Sequence, residues 1–119
     1  MTDTDLCYTP ATQLVPLIRS KALSPVELTR AVLARIGRLD PVLNAFCTLT
    51  AEAALETARE AEQAVMRGGA RGPLHGIPFS IKDLATTKGV RWTSGSFIFE
   101  HRVPDVDAPF VRRLGLVNK

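Results

Sequence analysis

The sequence predicts an α/β fold in which amphipathic helices form one layer and a short apolar strand begins another. Helix-spaced apolar residues dominate the first half, as in "LSPVELTRAVLARIGRLDP". After Gly72-Pro73 the period changes to two, with Ile77, Phe79 and Ile81 on one side and Pro78, Ser80 and Lys82 on the other. Helices followed by a strand are expected in layered α/β architectures, with further strands implied.

The first helix is expected within "TPATQLVPLIRSKAL", where Leu14, Leu17 and Ile18 share a face. Pro16 lacks a backbone donor and suits a first turn, so this helix is expected to settle only after Val15. The second has the strongest local signal. Ser24 caps it, Pro25 takes the first helical position, and Glu27 completes a capping box. Leu28, Val32, Ile36 and Leu39 then line one face, and Asp40-Pro41 is expected to end it.

"NAFCTL" is a brief apolar run consistent with a strand, although its periodicity does not decide the matter. "TAEAALETAREAEQAVMRGG" predicts a helix capped by Thr50 and closed by Gly68-Gly69. Its small face of Ala54, Ala58, Ala61 and Val65 invites close packing. "ATTKGVRWTSGSFIFEHRVPDVD" is loop-rich, and "DAPFVRRLGLVNK" restarts as a helix capped by Asp107.

A chain of 119 residues accommodates a single domain with a genuine core. Its 45% hydrophobic and 23% charged content is that of an ordinary globular protein. Residues 1–66 are net −2 and residues 67–119 net +5, but the arginines of the basic half are scattered among apolar residues. With only seven aromatics, nucleic-acid binding is not expected. Cys7 and Cys47 lack metal or redox spacing, which fits a reduced, cytoplasmic protein. The start has neither the basic nor the apolar region of a signal peptide, and no apolar run reaches membrane-spanning length, so no membrane partner is expected.

Among the titratable residues, His75 lies in a Pro/Gly turn and reads as exposed or backbone-bonded, and His101 between Glu100 and Arg102 reads as surface. No metal site is expected: neither histidine is spaced for one. Neither phosphate-cradling glycine motif occurs. Asp105 and Asp107 fit turn formation and helix capping better than an acid/base pair. Lys82 leaves two readings open. It is a solvated strand end, or a base held at the floor of a site. A lysine accepts a proton only where burial or nearby positive charge depresses its pKa, and an adjacent Asp83 opposes that.

Three blocks then weigh on Lys82: "GPLHGIPFSIKD", "TKGVRWTSGS" and "PDVDAPFVRRL", in that order, within residues 72–114. Together they resemble the amidase signature family, and upstream "LSPVELTRAVLARI" and "LNAF" are similar to its N-terminal helices. The resemblance runs from Leu14 to Leu114. It implies the N-terminal helices and first strands of that family's mixed sheet, incomplete, as one partial domain over residues 1–119. It further implies a Ser-cisSer-Lys hydrolase of amide C–N bonds, with no cofactor, in which Lys82 matches the lysine base acting through a bridging serine on a nucleophilic one.

Ser94, Gly95 and Ser96 match the loop beyond that lysine, where turn formation or lining of a substrate pocket is expected. Neither catalytic serine has a counterpart: the family's downstream Gly/Ser-rich segment is not in this sequence, and Ser80, Ser94 and Ser96 do not match it. After Leu114 the sequence departs from the family as "GLVNK", as expected of a truncated, frameshifted or alternatively ended copy. The expectation is therefore an N-terminal amidase piece, inactive alone. The alternatives are a noncatalytic binding or regulatory module, and one half of a split amidase or amidotransferase subunit. Unpaired sheet edges lead us to expect self-association or a complementing chain, with a small-molecule amide as substrate only once the site is completed.

Overall fold

The computed structural model describes residues 1–118, with side-chain surroundings through residue 114. Of the divergent stretch 115–119, the side chains and all of Lys119 lie outside the described residues. The chain forms two compact units, one built on residues 1–78 and the other on residues 79–116.

Four helices make the first unit: α1 (Asp3–Tyr8), α2 (Ala11–Arg19), α3 (Pro25–Leu43) and α4 (Ala51–Met66). α1 lies where no element was expected. Thr2 and Asp5 form a reciprocal capping box that satisfies orphan N–H groups at its start. The Thr2 side-chain and backbone donors hold the Asp5 carboxyl below its ordinary value.

In α2, Leu14 and Ile18 are buried as the spacing requires, but the helix does not wait for Val15: it starts at Ala11 and carries Pro16 inside. The carbonyl that Pro16 leaves without a helical donor is that of Thr12, an exposed residue within reach of water. Burial of the apolar face outweighs the local cost.

Ser24 caps α3 as expected, its hydroxyl accepting from Val26 and Glu27 N–H at 3.0 and 3.3 Å. It donates to the Glu62 carboxylate of α4, so the cap ties two helices together in place of a capping box with Glu27. The helix also passes Asp40-Pro41 and ends at Leu43, with Asn44 in the left-handed region at φ 50°. The donor lost at Pro41 would have met Gly37, which is exposed, and Asp40 takes over the chain reversal by accepting from Ala45 and Phe46 N–H.

The core joins Leu6, Leu14, Ile18, Leu23, Leu28, Ala31 and Val65, with Val32 and Ile77 packed at its margin. Along α3 the expected stripe fades outward: Leu28 is buried, while Val32, Ile36 and Leu39 are half-buried. The small face of α4 is buried at Ala58, Ala61, Ala64 and Val65, which allows α3 to approach closely. Thr50 precedes α4 without a side-chain cap bond. At the other end Gly68, at φ 76°, and Gly69 donate back to Val65 and Ala64 carbonyls, as glycines beyond a helix end do.

The expected strands are absent among the described residues. A strand exists through its ladder, and residues 77–82 have none: the Ile77 N–H is spent on the Leu74 carbonyl in a turn, and Pro78 has no N–H to offer. The alternation also fails as a buried face, since Ile77 joins the core while Phe79 is exposed. "NAFCTL" is likewise irregular and mostly exposed. Sheet edges therefore give no reason for association here; exposed Phe97 and Ile98 are the apolar surface in their place.

Candidate functional site

Among the described residues, the second unit is a loop system holding one 3₁₀ turn, Phe97–Phe99, and most of α5 (Pro109–Asn118). Asp83 organises it. One carboxylate oxygen accepts the Thr93 N–H at 2.9 Å, the other accepts the Thr93 hydroxyl, and the Asp83 carbonyl accepts the Ser94 N–H at 3.1 Å. Thr93 is buried, and its hydroxyl oxygen also accepts the Gly95 N–H at 3.2 Å. Residues ten apart in sequence are thus clamped, which brings the segment carrying Lys82 to the segment carrying Ser94, Gly95 and Ser96.

That second segment is a tight turn. Ser94 and Gly95 both have positive φ, 52° and 71°, and the Ser96 N–H closes onto the Thr93 carbonyl at 3.0 Å. Ser96 then caps the 3₁₀ turn by accepting from Ile98 N–H. The turn-forming role expected of these serines is present. The Lys82 side chain is exposed, and its carbonyl closes a turn by accepting from Ala85 N–H at 3.0 Å. Ser80 is exposed as well.

Hydrogen bonds to an ionised carboxylate are worth about 1.5–3 kcal/mol each. Asp83→Ala is accordingly expected to destabilise the second unit by about 2–4 kcal/mol, because it also strands the buried Thr93 N–H. Asp83→Asn, which keeps an acceptor for that N–H, should cost less than half as much. Comparable losses in urea melts of the two variants would discard the clamp as described.

Other expected residues fall elsewhere. His75 is buried, not exposed, and its Nε2 meets the Ala61 carbonyl of α4 at 2.9 Å, the backbone-bonded role. His101 is at the surface, 3.9 Å from the Glu100 carboxylate. Asp107 does not serve as a helix cap: its carboxylate accepts the Lys88 N–H at 2.7 Å, while the Ala108 carbonyl starts α5 by accepting from Arg112. Asp105 is exposed. No group of three or more His, Cys, Asp or Glu residues that could hold a metal occurs among the described residues. No helix among them is long and apolar enough to cross a membrane.

Sequence reasoning missed Thr93, Trp92 and Arg102. The Arg102 guanidinium lies 3.4 Å from the Trp92 ring centre and 3.8 Å from that of Phe99. It donates from Nε to the Trp92 carbonyl and from Nη2 to Ser94 Oγ, both at 3.0 Å. The only available signal was compositional, since a lone tryptophan in a Gly/Ser loop ten residues before an arginine has no local pattern.

Known proteins are similar to this chain along most of its length. The A subunit of the glutamyl-tRNA(Gln) amidotransferase from Carboxydothermus hydrogenoformans is 38% identical over 110 residues, 92% of this chain and 23% of the relative. Its counterpart from Methylococcus capsulatus is 48% identical over 101 residues, 85% of this chain and 21% of the relative. The chain therefore spans less than a quarter of the length of these curated relatives. Among solved structures, a vestigial protein complex that bears on the evolutionary origins of an s-triazine catabolic enzyme superposes with a TM-score of 0.86 at 31% identity, over 92% of this chain and 24% of its counterpart. An inhibitor-bound form of that complex matches equally well. A sequence profile of the Amidase family matches residues 27–116, and the chain belongs to that family.

Proposed function

We propose that this chain is the N-terminal part of an amidase-type hydrolase of amide C–N bonds and supplies its lysine base, Lys82. The observation that supports this most is the Asp83–Thr93 clamp. It fixes the residue next to Lys82 against the turn of Ser94, Gly95 and Ser96, the loop that would line a substrate pocket. A base must be held to within a fraction of an ångström of the hydroxyl it serves, and a charged, partly buried clamp one residue away is a means of doing so.

On this reading both serines, the bridging one and the nucleophile, come from sequence outside these 119 residues. The nucleophile's proton passes to the bridging serine and from there to the Lys82 amine, and backbone donors outside this chain stabilise the oxyanion. Burial of Lys82 would follow from assembly, because the side chain is exposed on this chain alone. The exposed apolar side chains of Phe79, Leu84, Phe97 and Ile98, all in the unit that carries Lys82, fit a complementing chain closing over it. No cofactor or metal enters the scheme.

The test is hydrolysis of simple amides by the purified chain, with and without a polypeptide carrying the missing serines. No turnover is expected from the chain alone. With the second polypeptide, turnover is expected to appear, to persist in Ser80→Ala, and to be reduced but not abolished in Ser94→Ala and Ser96→Ala, which disturb the turn without removing a reacting group. Abolition of turnover in any one of these three, with association intact, would make that serine a nucleophile or bridge and overturn the assignment.

A second reading, part of an amidotransferase, is favoured by the names of the relatives. It differs in where the nitrogen goes: to an acceptor molecule instead of free ammonia. Measuring ammonia release by the complemented pair without an added acceptor separates the two.

A further inference from the structure

We propose that Arg102 is a positioning residue that holds the Ser94–Ser96 turn in its working shape, using the Trp92 and Phe99 rings as a vice. A non-glycine residue in the left-handed region is disfavoured and persists only where its surroundings over-determine it. Ser94, at φ 52°, is held at two points: its N–H by the Asp83 carbonyl at 3.1 Å, and its Oγ by Arg102 Nη2 at 3.0 Å.

The second anchor is only as firm as the guanidinium, and three contacts fix that plane while a fourth pairs the two backbones. The Trp92 and Phe99 rings lie at 3.4 and 3.8 Å, Nε donates to the Trp92 carbonyl, and the Trp92 N–H donates to the Arg102 carbonyl at 2.9 Å. The buried Trp92 Nε1 has no partner among the described residues, so the indole is oriented by its face against Arg102 and not by its own donor. With Nε committed to one carbonyl, the rigid fork directs Nη2 at Ser94. A lysine, a single flexible donor, cannot reproduce both bonds and the stack.

The relevance of this turn to an amide substrate rests on the amidase reading above; the positioning itself does not, and it is tested without turnover. Trp92 is the only tryptophan, so its emission and its quenching by acrylamide report the vice directly. Hydrogen exchange of the Gly95 and Ser96 amides, which bond to Thr93 Oγ1 and the Thr93 carbonyl, reports the turn.

In the full chain, Arg102→Ala is expected to increase quenching of Trp92 and to speed exchange at Gly95 and Ser96 about 10- to 100-fold, the worth of one charge-assisted hydrogen bond. Ser94→Ala, which leaves the stack intact, should speed the same amides while leaving the Trp92 signal unchanged. Arg102→Lys should behave as Arg102→Ala. Unchanged exchange in Ser94→Ala would overturn the proposal and reduce Arg102 to a packing residue, and so would full restoration by Arg102→Lys.

Discussion

Replacing Lys82 with alanine is expected to lower amide turnover by the complemented pair about 10²–10⁴-fold, the range over which a positioned general base contributes. The loss should fall on the chemical step. Lys82 is exposed on this chain and contributes nothing to its core, so the variant should fold and associate as the parent does. Association measured by sedimentation, set beside turnover, separates a missing base from a missing complex. Lys82→Arg is the sharper control. A guanidinium keeps the positive charge but does not release its proton in proteins, so an arginine serves electrostatics and fails as a base. If Lys82→Arg retained most of the turnover, Lys82 would be a fixed charge and the proton would have to leave by another group.

Much of the helical layer was legible in the sequence because its signals are local. Ser24-Pro25 opens α3, and Gly68-Gly69 closes α4, through bonds made within a few residues of each other. α1 carried such a signal too, the Thr2 and Asp5 box, but at six residues it has too little periodicity to stand out. The prolines misled for a different reason. Local rules set a proline as a helix end, whereas Pro16 and Pro41 each give up only one bond to an exposed partner residue. In α2 the helix is then held by the burial of Leu14 and Ile18, a tertiary gain that no local rule contains.

The strand at residues 77–82 was unreadable in the same sense. Period two describes which way side chains point, but a strand also needs a partner for its backbone, and none of the described residues provides one. The site divides along the same line. Lys82 was proposed on its position and its resemblance to a family motif, while Asp83, Thr93 and Arg102 act across ten, ten and eight residues. Such contacts leave no periodic trace. They are made when the loop folds, and only coordinates reveal that an ordinary Asp-Thr pair joins the two stretches the motif had marked.

Ile18→Ala should produce the largest loss of stability in the first unit, about 2–5 kcal/mol, against the roughly 5–15 kcal/mol that holds a domain together. Ile18 has no exposed surface and lies in the cluster joining Leu6 of α1, Leu28 of α3 and Val65 of α4. Its truncation removes apolar burial and leaves a void, and the void's surroundings are poorly placed to collapse. The ring of Pro25 is fixed at the start of α3, and Gly76, at φ 83°, approaches so closely that an added Cβ would stand 2.9 Å from Pro25 Cγ and 3.4 Å from Ile18 Cγ2. A backbone seated that tightly depends on glycine for both its φ and its clearance, and it cannot follow a retreating side chain without breaking the turn that leads to Ile77. Ile18→Val, which removes a single methylene, should cost only about 0.5–1.5 kcal/mol. Val42→Ala on the exposed end of α3 should stay within about 0.5 kcal/mol. Urea midpoints compared at constant slope give all three values. Should Ile18→Ala fall as low as Val42→Ala, Ile18 would not be the centre of this core, and the helical frame around it would have to be redrawn.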